Sequence, residues 1–303
     1  MRIASQSFGN SMVSTLRGSN AKIADLTARL ASGRRIHVSS DDPIGAVRLM
    51  RLERDAAMLG QYRRNIDTLR GQLDRNELHL GSMQTQLDAA RETMLRAMDG
   101  THSAADLNAM AGALRTMRDD LVAAANATDN EGHYLFSGTL TDTETIGFDA
   151  SAPAGSRYAF GGNREQRQVV VGNGVTQAAN VGVDDLADTL NRLDAAIVRL
   201  EAADANASDP ATRAATSAAL DALTASFDTA GNRIAGLGGA QRTLDRLEDD
   251  HEAMLVANGQ AADLVGGLDY AEATDALNNY LVAVKGSYQI YARVRQLSLF
   301  DVL

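Results

Sequence analysis

The stretch LGQYRRNIDTLRGQLDRNELHLGSMQTQLDAARETMLRA, Leu59–Ala97, decides the fold. A series of its apolar residues stands at Leu59, Tyr62, Ile66, Leu69, Leu73, Leu80, Met83, Leu87, Ala90, Met94 and Ala97, with Asn76 holding the one polar place in it. The steps alternate three and four, which puts one narrow stripe along a helix: a heptad seam that seeks a partner helix. A polar residue such as Asn76 costs stability in a seam but can fix its register. The helix has a clear start, because Asp42 can cap it and Pro43 fits the first helical position, where the missing N–H does no harm. From Pro43 to about Met98 it would be roughly 80 Å long at about 1.5 Å per residue.

Leu237, Ala240, Leu244, Leu247, His251, Met254, Asn258, Ala261, Val265 and Leu268 form a second seam of the same kind. Two such seams joined by an intervening segment predict an antiparallel pairing of the chain's two arms. Asp99-Gly100 breaks the first arm, and Ser103 with Asp106 forms a capping box for a helix striped by Leu107, Met110, Leu114, Met117 and Leu121. Another helix begins near Asp184 and carries Leu186, Leu190, Leu193, Ile197 and Leu200. Between Ser137 and Val183 glycine, threonine and β-branched residues take over. Arg157–Phe160 and Gln168–Val171 read as strands, and Gly172-Asn173-Gly174 as a tight turn whose Asn and Gly tolerate positive φ. Gly236-Leu237-Gly238-Gly239 reads as a loosened helix junction.

The expected fold is therefore mainly α, a long antiparallel coiled-coil-like helical rod built from both chain ends, with a small β-rich insert in the middle. Its divisions are 1–42 with 266–303 as a terminal helical assembly region, 43–136 with 184–265 as the rod, and 137–183 as an outward-facing insert. In the terminal region Met12, Leu16, Ser19, Ile23, Leu26 and Leu30 make one stripe. Ala273, Leu277, Tyr280, Val284, Tyr288, Tyr291 and Val294 make the other, followed by Leu297, Leu299 and Phe300. The two stripes are expected to face each other, within or between subunits. Helices this short are marginal in water without packing, so the ends are expected to be loose or disordered in the monomer and to fold on assembly.

Composition narrows the function. The 303 residues contain no cysteine, which removes disulfides and thiolate metal sites, and three prolines, which leaves long uninterrupted helices. The net charge of −10 argues against nucleic acid as the main partner. Residues 1–75 hold 13 Arg/Lys against 7 Asp/Glu; subtracting from the totals of 29 and 39 leaves 16 against 32 for the rest. Solvated helix faces account for this, and the asymmetry also suits a basic N-terminal part meeting acidic parts of its own chain or of neighbours. No run of 18 apolar residues is present and no cleaved secretory signal is read, so no membrane insertion is expected.

No chemistry-bearing constellation emerges. Gly236–Gly239 lacks phosphate-loop spacing, no Gly-x-Ser-x-Gly elbow exists, and the five histidines make no metal-like pair. The acids of Asp249-Asp250-His251-Glu252 point around a helix, with His251 itself on the seam as a core residue. Catalytic, cofactor and metal sites are all expected to be absent, and the residues of interest are interface residues.

Four stretches carry a family resemblance. Leu30-Ala31-Ser32-Gly33-Arg34-Arg35-Ile36 followed by Asp41-Asp42-Pro43 and Gly45-Ala46 resembles the N-terminal signature of the flagellin superfamily. Gly132-His133-Tyr134-Leu135-Phe136-Ser137-Gly138 resembles the segment where the rod enters the insert, and Ala230–Gly236 the segment that reopens the C-terminal arm. The ending Leu297-Ser298-Leu299-Phe300-Asp301-Val302-Leu303, with Tyr134 and Phe136, is similar to the branch found at the hook–filament junction. The resemblance implies a non-enzymatic protein outside the cell in the bacterial flagellum, exported without a cleaved signal through the flagellar export apparatus with a chaperone. It would form a ring of copies through its terminal helices, between hook-associated protein 1 and flagellin. A flagellin-type filament subunit is the alternative, and a coiled-coil signalling protein a distant one.

Overall fold

The computed structural model describes residues 2–300, with side chains over 7–293. Val294, Leu297, Leu299 and Phe300 thus lie outside the described side chains. The chain is mainly helical: α1 (Arg2–Ser32), α2 (Pro43–Ala97), α3 (Ala104–Ala125), α4 (Leu186–Leu200), α5 (Pro210–Gly266) and α6 (Tyr270–Phe300). Four short strands lie between α3 and α4: β1 (Ile146–Phe148), β2 (Tyr158–Phe160), β3 (Gln168–Gly172) and β4 (Val175–Ala178). They form two separate antiparallel pairs, β1 with β2 and β3 with β4. The chain packs as two compact units, one of residues 1–58 with 252–303 and the other of residues 59–251.

The larger unit holds the main core. Every α2 seam position from Ile66 to Ala97 is buried. Its partner α5 runs antiparallel, as the cross-links show. Arg70 pairs with Asp245 at 2.7 Å and Glu248 at 2.9 Å, Gln241 donates to Asp74 at 2.7 Å, and Arg91 lies over the Phe227 ring at 5.0 Å. As numbers rise on α2 they fall on α5. These pairs also show where part of the charge asymmetry goes: basic α2 meets acidic α5. They are partly exposed, so each contributes only about 0–1 kcal/mol, and the buried leucines carry the pairing.

Helix α3 starts as its capping box requires, with Ser103 and Asp106 bonded reciprocally. It pairs antiparallel with α4 through Arg115–Glu201 and through Arg118–Asp194 at 2.8 Å. Asp194 is fully buried, also reached by Arg157 at 3.4 Å and by the Gly155 N–H at 3.3 Å. It therefore ties α3, α4 and the segment leading into β2 together. Phe136, wholly buried, meets the His79 ring of α2 edge-on. Gly138 has φ +77°, and a side chain there would run into Asn163.

Four local readings differ from the structure. The Gly236–Gly239 run does not loosen a junction, because α5 is one helix from Pro210 to Gly266. A glycine costs only about 1 kcal/mol against alanine in a helix, and buried Leu237 and Leu244 outweigh that. Asn76 uses its polarity outside the seam: its amide donates to the Ala179 carbonyl at 3.3 Å and docks the β-rich segment. In the hairpin turn only Gly174 takes positive φ, +70°, and the strand ahead of the turn carries a bulge between Val170 and Gly172. Strand β1, three residues long, is too short for a periodicity signal.

Candidate assembly interface

The terminal stripes and the N-terminal signature all lie in the smaller unit. There α1 packs against α6 within one chain. On α1, Leu16 is buried, with Met12, Ile23, Leu26 and Leu30 half-buried. On α6, Ala273 is buried and Leu277, Tyr280, Val284 and Tyr291 are half-buried, while Tyr288 stays 52% exposed. Phe8, Val13, Leu281, Val282 and Ile290 point away from this seam and are exposed. Two helices in contact along one stripe cannot cover apolar residues that run around both.

The signature Leu30–Ala46 folds into a clasp that joins the ends of four helices. Gly33 ends α1 in the left-handed conformation, φ +69°, its N–H bonded to the Arg29 carbonyl at 2.8 Å. A Cβ there would stand 2.7 Å from the Tyr270 hydroxyl oxygen, so any side chain would also have to displace the tip of that ring. The next residues bridge to the α5–α6 corner: the Arg35 N–H donates to the Gly266 carbonyl at 2.8 Å, and the Leu268 N–H to the Gly33 carbonyl at 3.0 Å. The Arg35 guanidinium then donates to the Val265 carbonyl at 2.8 Å and to the Asp42 carboxylate at 2.9 Å. One side chain thus places positive charge at the negative end of α5 and holds the residue that caps α2. Gly266 and Gly267 give the corner its closeness: a Cβ on Gly266 would be 2.8 Å from Leu49, and one on Gly267 would meet the Asp263 carbonyl.

Asp41 and Asp42 lock the link. Asp41 accepts from the His37 and Val38 N–H groups at 3.0 and 3.2 Å, with Arg29 at 3.3 Å. Asp42 accepts from the Gly45 N–H at 2.9 Å and so caps α2 ahead of Pro43. The backbone bonds to His37 and Val38 hold the Asp41 carboxyl below the usual range; the Gly45 N–H and then Arg35 do the same for Asp42. Ser32 binds the Arg29 carbonyl and the His37 ring. In the larger unit the second motif is structural: Phe136 is core, Tyr134 is half-buried with its N–H on the Thr141 carbonyl, and Gly138 makes the turn.

The sequence reading missed the cradle that receives the clasp, namely Tyr270, Val265, Gly266 and Gly267. The Gly266-Gly267 pair between the seam residues Val265 and Leu268 was the available signal, since glycine marks helix stops. The niche between Gly33, Leu49 and Gly266 has a volume of about 130 Å³, below the roughly 300 Å³ at which small-molecule sites begin. Among the described residues no cluster of His, Cys, Asp or Glu is arranged to hold a metal, and no helix is long and apolar enough to cross a membrane.

Residues 3–141, which include the clasp, match the bacterial flagellin N-terminal helical region. The similarity continues over the whole chain. Flagellar hook-associated protein 3 of Escherichia coli K12 is 26% identical over 320 aligned positions, covering 100% of this chain and 99% of the relative. The likeness to hook-associated protein 3 thus extends beyond the N-terminal region to the full length. The hook-associated protein 3 of Salmonella typhimurium is 33% identical over 144 residues, 47% of this chain and 45% of the relative. Among solved structures, one assigned to a flagellar hook-associated protein of Vibrio parahaemolyticus superposes with a TM-score of 0.66 at 29% identity, covering 74% of this chain and 99% of that one. Bacillus cereus FlgL, at 17% identity and a TM-score of 0.54 over 70% of this chain and 99% of its own, shares the fold. These relatives are structural proteins of the flagellum.

Proposed function

We propose that this chain is the adaptor that joins the flagellar hook, through hook-associated protein 1, to the flagellin filament. The observation that carries the reading is similarity to hook-associated protein 3 along the entire chain, not merely over the shared N-terminal region. The α1–α6 pair, with its stripe half-buried and its outer faces apolar and exposed, supports assembly through the chain ends. In this reading residues 1–42 and 266–303 pack with those of neighbouring copies in a ring, 43–136 and 184–265 form the rod, and 137–183 faces outward. The protein acts outside the cell, delivered by the export apparatus with a chaperone. Deleting its gene in the source strain tests this directly. The expected result is hooks without filaments and flagellin shed into the medium. The match of residues 3–141 to flagellin's own helical region keeps a filament subunit as the second reading. That reading gains if the filament vanishes with no other flagellin found, or if this chain dominates sheared filaments.

A further inference from the structure

Helix α2 carries an outward face that nothing among the described residues covers. Ile44, Val47, Arg51, Arg54 and Met58 follow one another by three and four, on the side opposite buried Gly45 and Leu59. Ile44 is 73% exposed, and Val47 and Met58 are exposed too. Arg48 flanks the same face. Among the described residues Arg48, Arg51 and Arg54 make no ion pair, although the chain as a whole is acidic. An apolar face studded with unpaired guanidinium groups calls for an occupant that is both acidic and apolar.

A surface of that chemistry exists in the larger unit. Asp74, Glu77, Leu78, Gly81 and Ile234 line an open groove. Leu78 is 70% exposed, and Gly81 leaves room beside it with no atom within 4 Å of where a Cβ would stand. Asp74 and Glu77 receive only the neutral amide of Gln241, and neither pairs with a cation among the described residues. Their charge is therefore available. We infer that the occupant is a second copy of this chain: the Ile44–Met58 face of one copy docks into the Asp74–Leu78 groove of the next, head to tail. A heterologous contact of this kind repeats from copy to copy and closes a ring when the rotation allows. The inference rests on the assembly reading above and names the surfaces that reading leaves open.

The test uses the absence of native cysteine. Two full-length chains with different tags, Val47→Cys and Leu78→Cys, replace the natural protein in the source strain, and isolated flagella are treated with a short bismaleimide. A dimer joining both tags is expected. Adding Arg51→Glu and Arg54→Glu to the first chain should lower it about tenfold, a loss on the scale of close charge pairs at interfaces. Adding Asp74→Arg and Glu77→Arg to the second chain should then restore it; restored incorporation into flagella counts the same way. Val47, Arg51, Arg54, Asp74 and Leu78 are exposed and Glu77 is half-buried at the groove's edge, so none of the changes enters the core. If the chain is present in flagella yet no mixed dimer forms, or charge reversal changes nothing, the inference is overturned and the adaptor reading stands. A cross-link to a flagellar protein of different mass also overturns it. Absence of the chain from flagella overturns both.

Discussion

At Gly33 the backbone turns at φ +69° under the Tyr270 hydroxyl, a conformation in which any other side chain is strained. Gly33→Ala should destabilise the clasp by about 1–3 kcal/mol from backbone strain alone. Faster amide exchange at Arg35 and Leu268, whose N–H groups close the bridge, would register it. Asp41 and Asp42 give the clasp a pH dependence whose sign follows from their environment. Both carboxyls are held below their ordinary values by N–H donors, so their contribution is fully present above the unfolded value of about 4 and is lost as pH falls through the lower folded values. Proteolysis of the 34–42 link should accelerate below about pH 4 and show no such step between pH 5 and 8. The cap by Asp42 and the break at Gly33 were legible in the sequence because each acts on neighbouring residues. The reach of Arg35 to the Val265 carbonyl, 230 positions away, was not, since nothing local announces a partner so far along the chain.

Among the elements, the α2 seam was readable because burial of one helix face imposes a period, and Ile66 to Ala97 are buried in that order. The strands were read less completely, because β1 has three residues and alternation needs more. What joins the strands to the helices escaped the reading altogether: Asn76 on Ala179, and Asp194 between Arg118 and Arg157. Removing the carboxylate leaves two guanidinium groups without their buried partner. Asp194→Ala should cost about 3–5 kcal/mol, read as a fall in the thermal midpoint of the larger unit. The terminal helices call for the opposite outcome. Leu26 and Val284 are only half-buried between α1 and α6. Leu26→Asp or Val284→Asp should therefore leave the main melting transition in place and abolish incorporation into flagella. A large drop in that transition would show that these positions serve the fold instead.

Across the whole molecule, apolar burial is distributed unequally between the two units. The larger one contains a continuous core running through α2, α3, α4, α5 and the strands. In the smaller one Leu16, Ile36 and Ala273 are buried, while Phe8, Ile44, Met50, Leu264 and Val282 are exposed, Leu264 to 89%. Burying a leucine-sized side chain contributes about 1.5–3 kcal/mol, so stability must follow the same division. Local opening free energies range from near zero to the global value according to such burial. Native-state hydrogen exchange of the isolated full-length protein should show α1 and α6 exchanging by cheap local opening, and the Ile66–Ala97 segment of α2 only near global unfolding. In assembled flagella the α1 and α6 amides should gain protection, because the exposed apolar faces would then be covered by neighbours. Equal protection of both units in the isolated chain would mean that the α1–α6 pair is stable by itself. Assembly would then join helices already formed, and the expectation that the chain ends fold on assembly would fall.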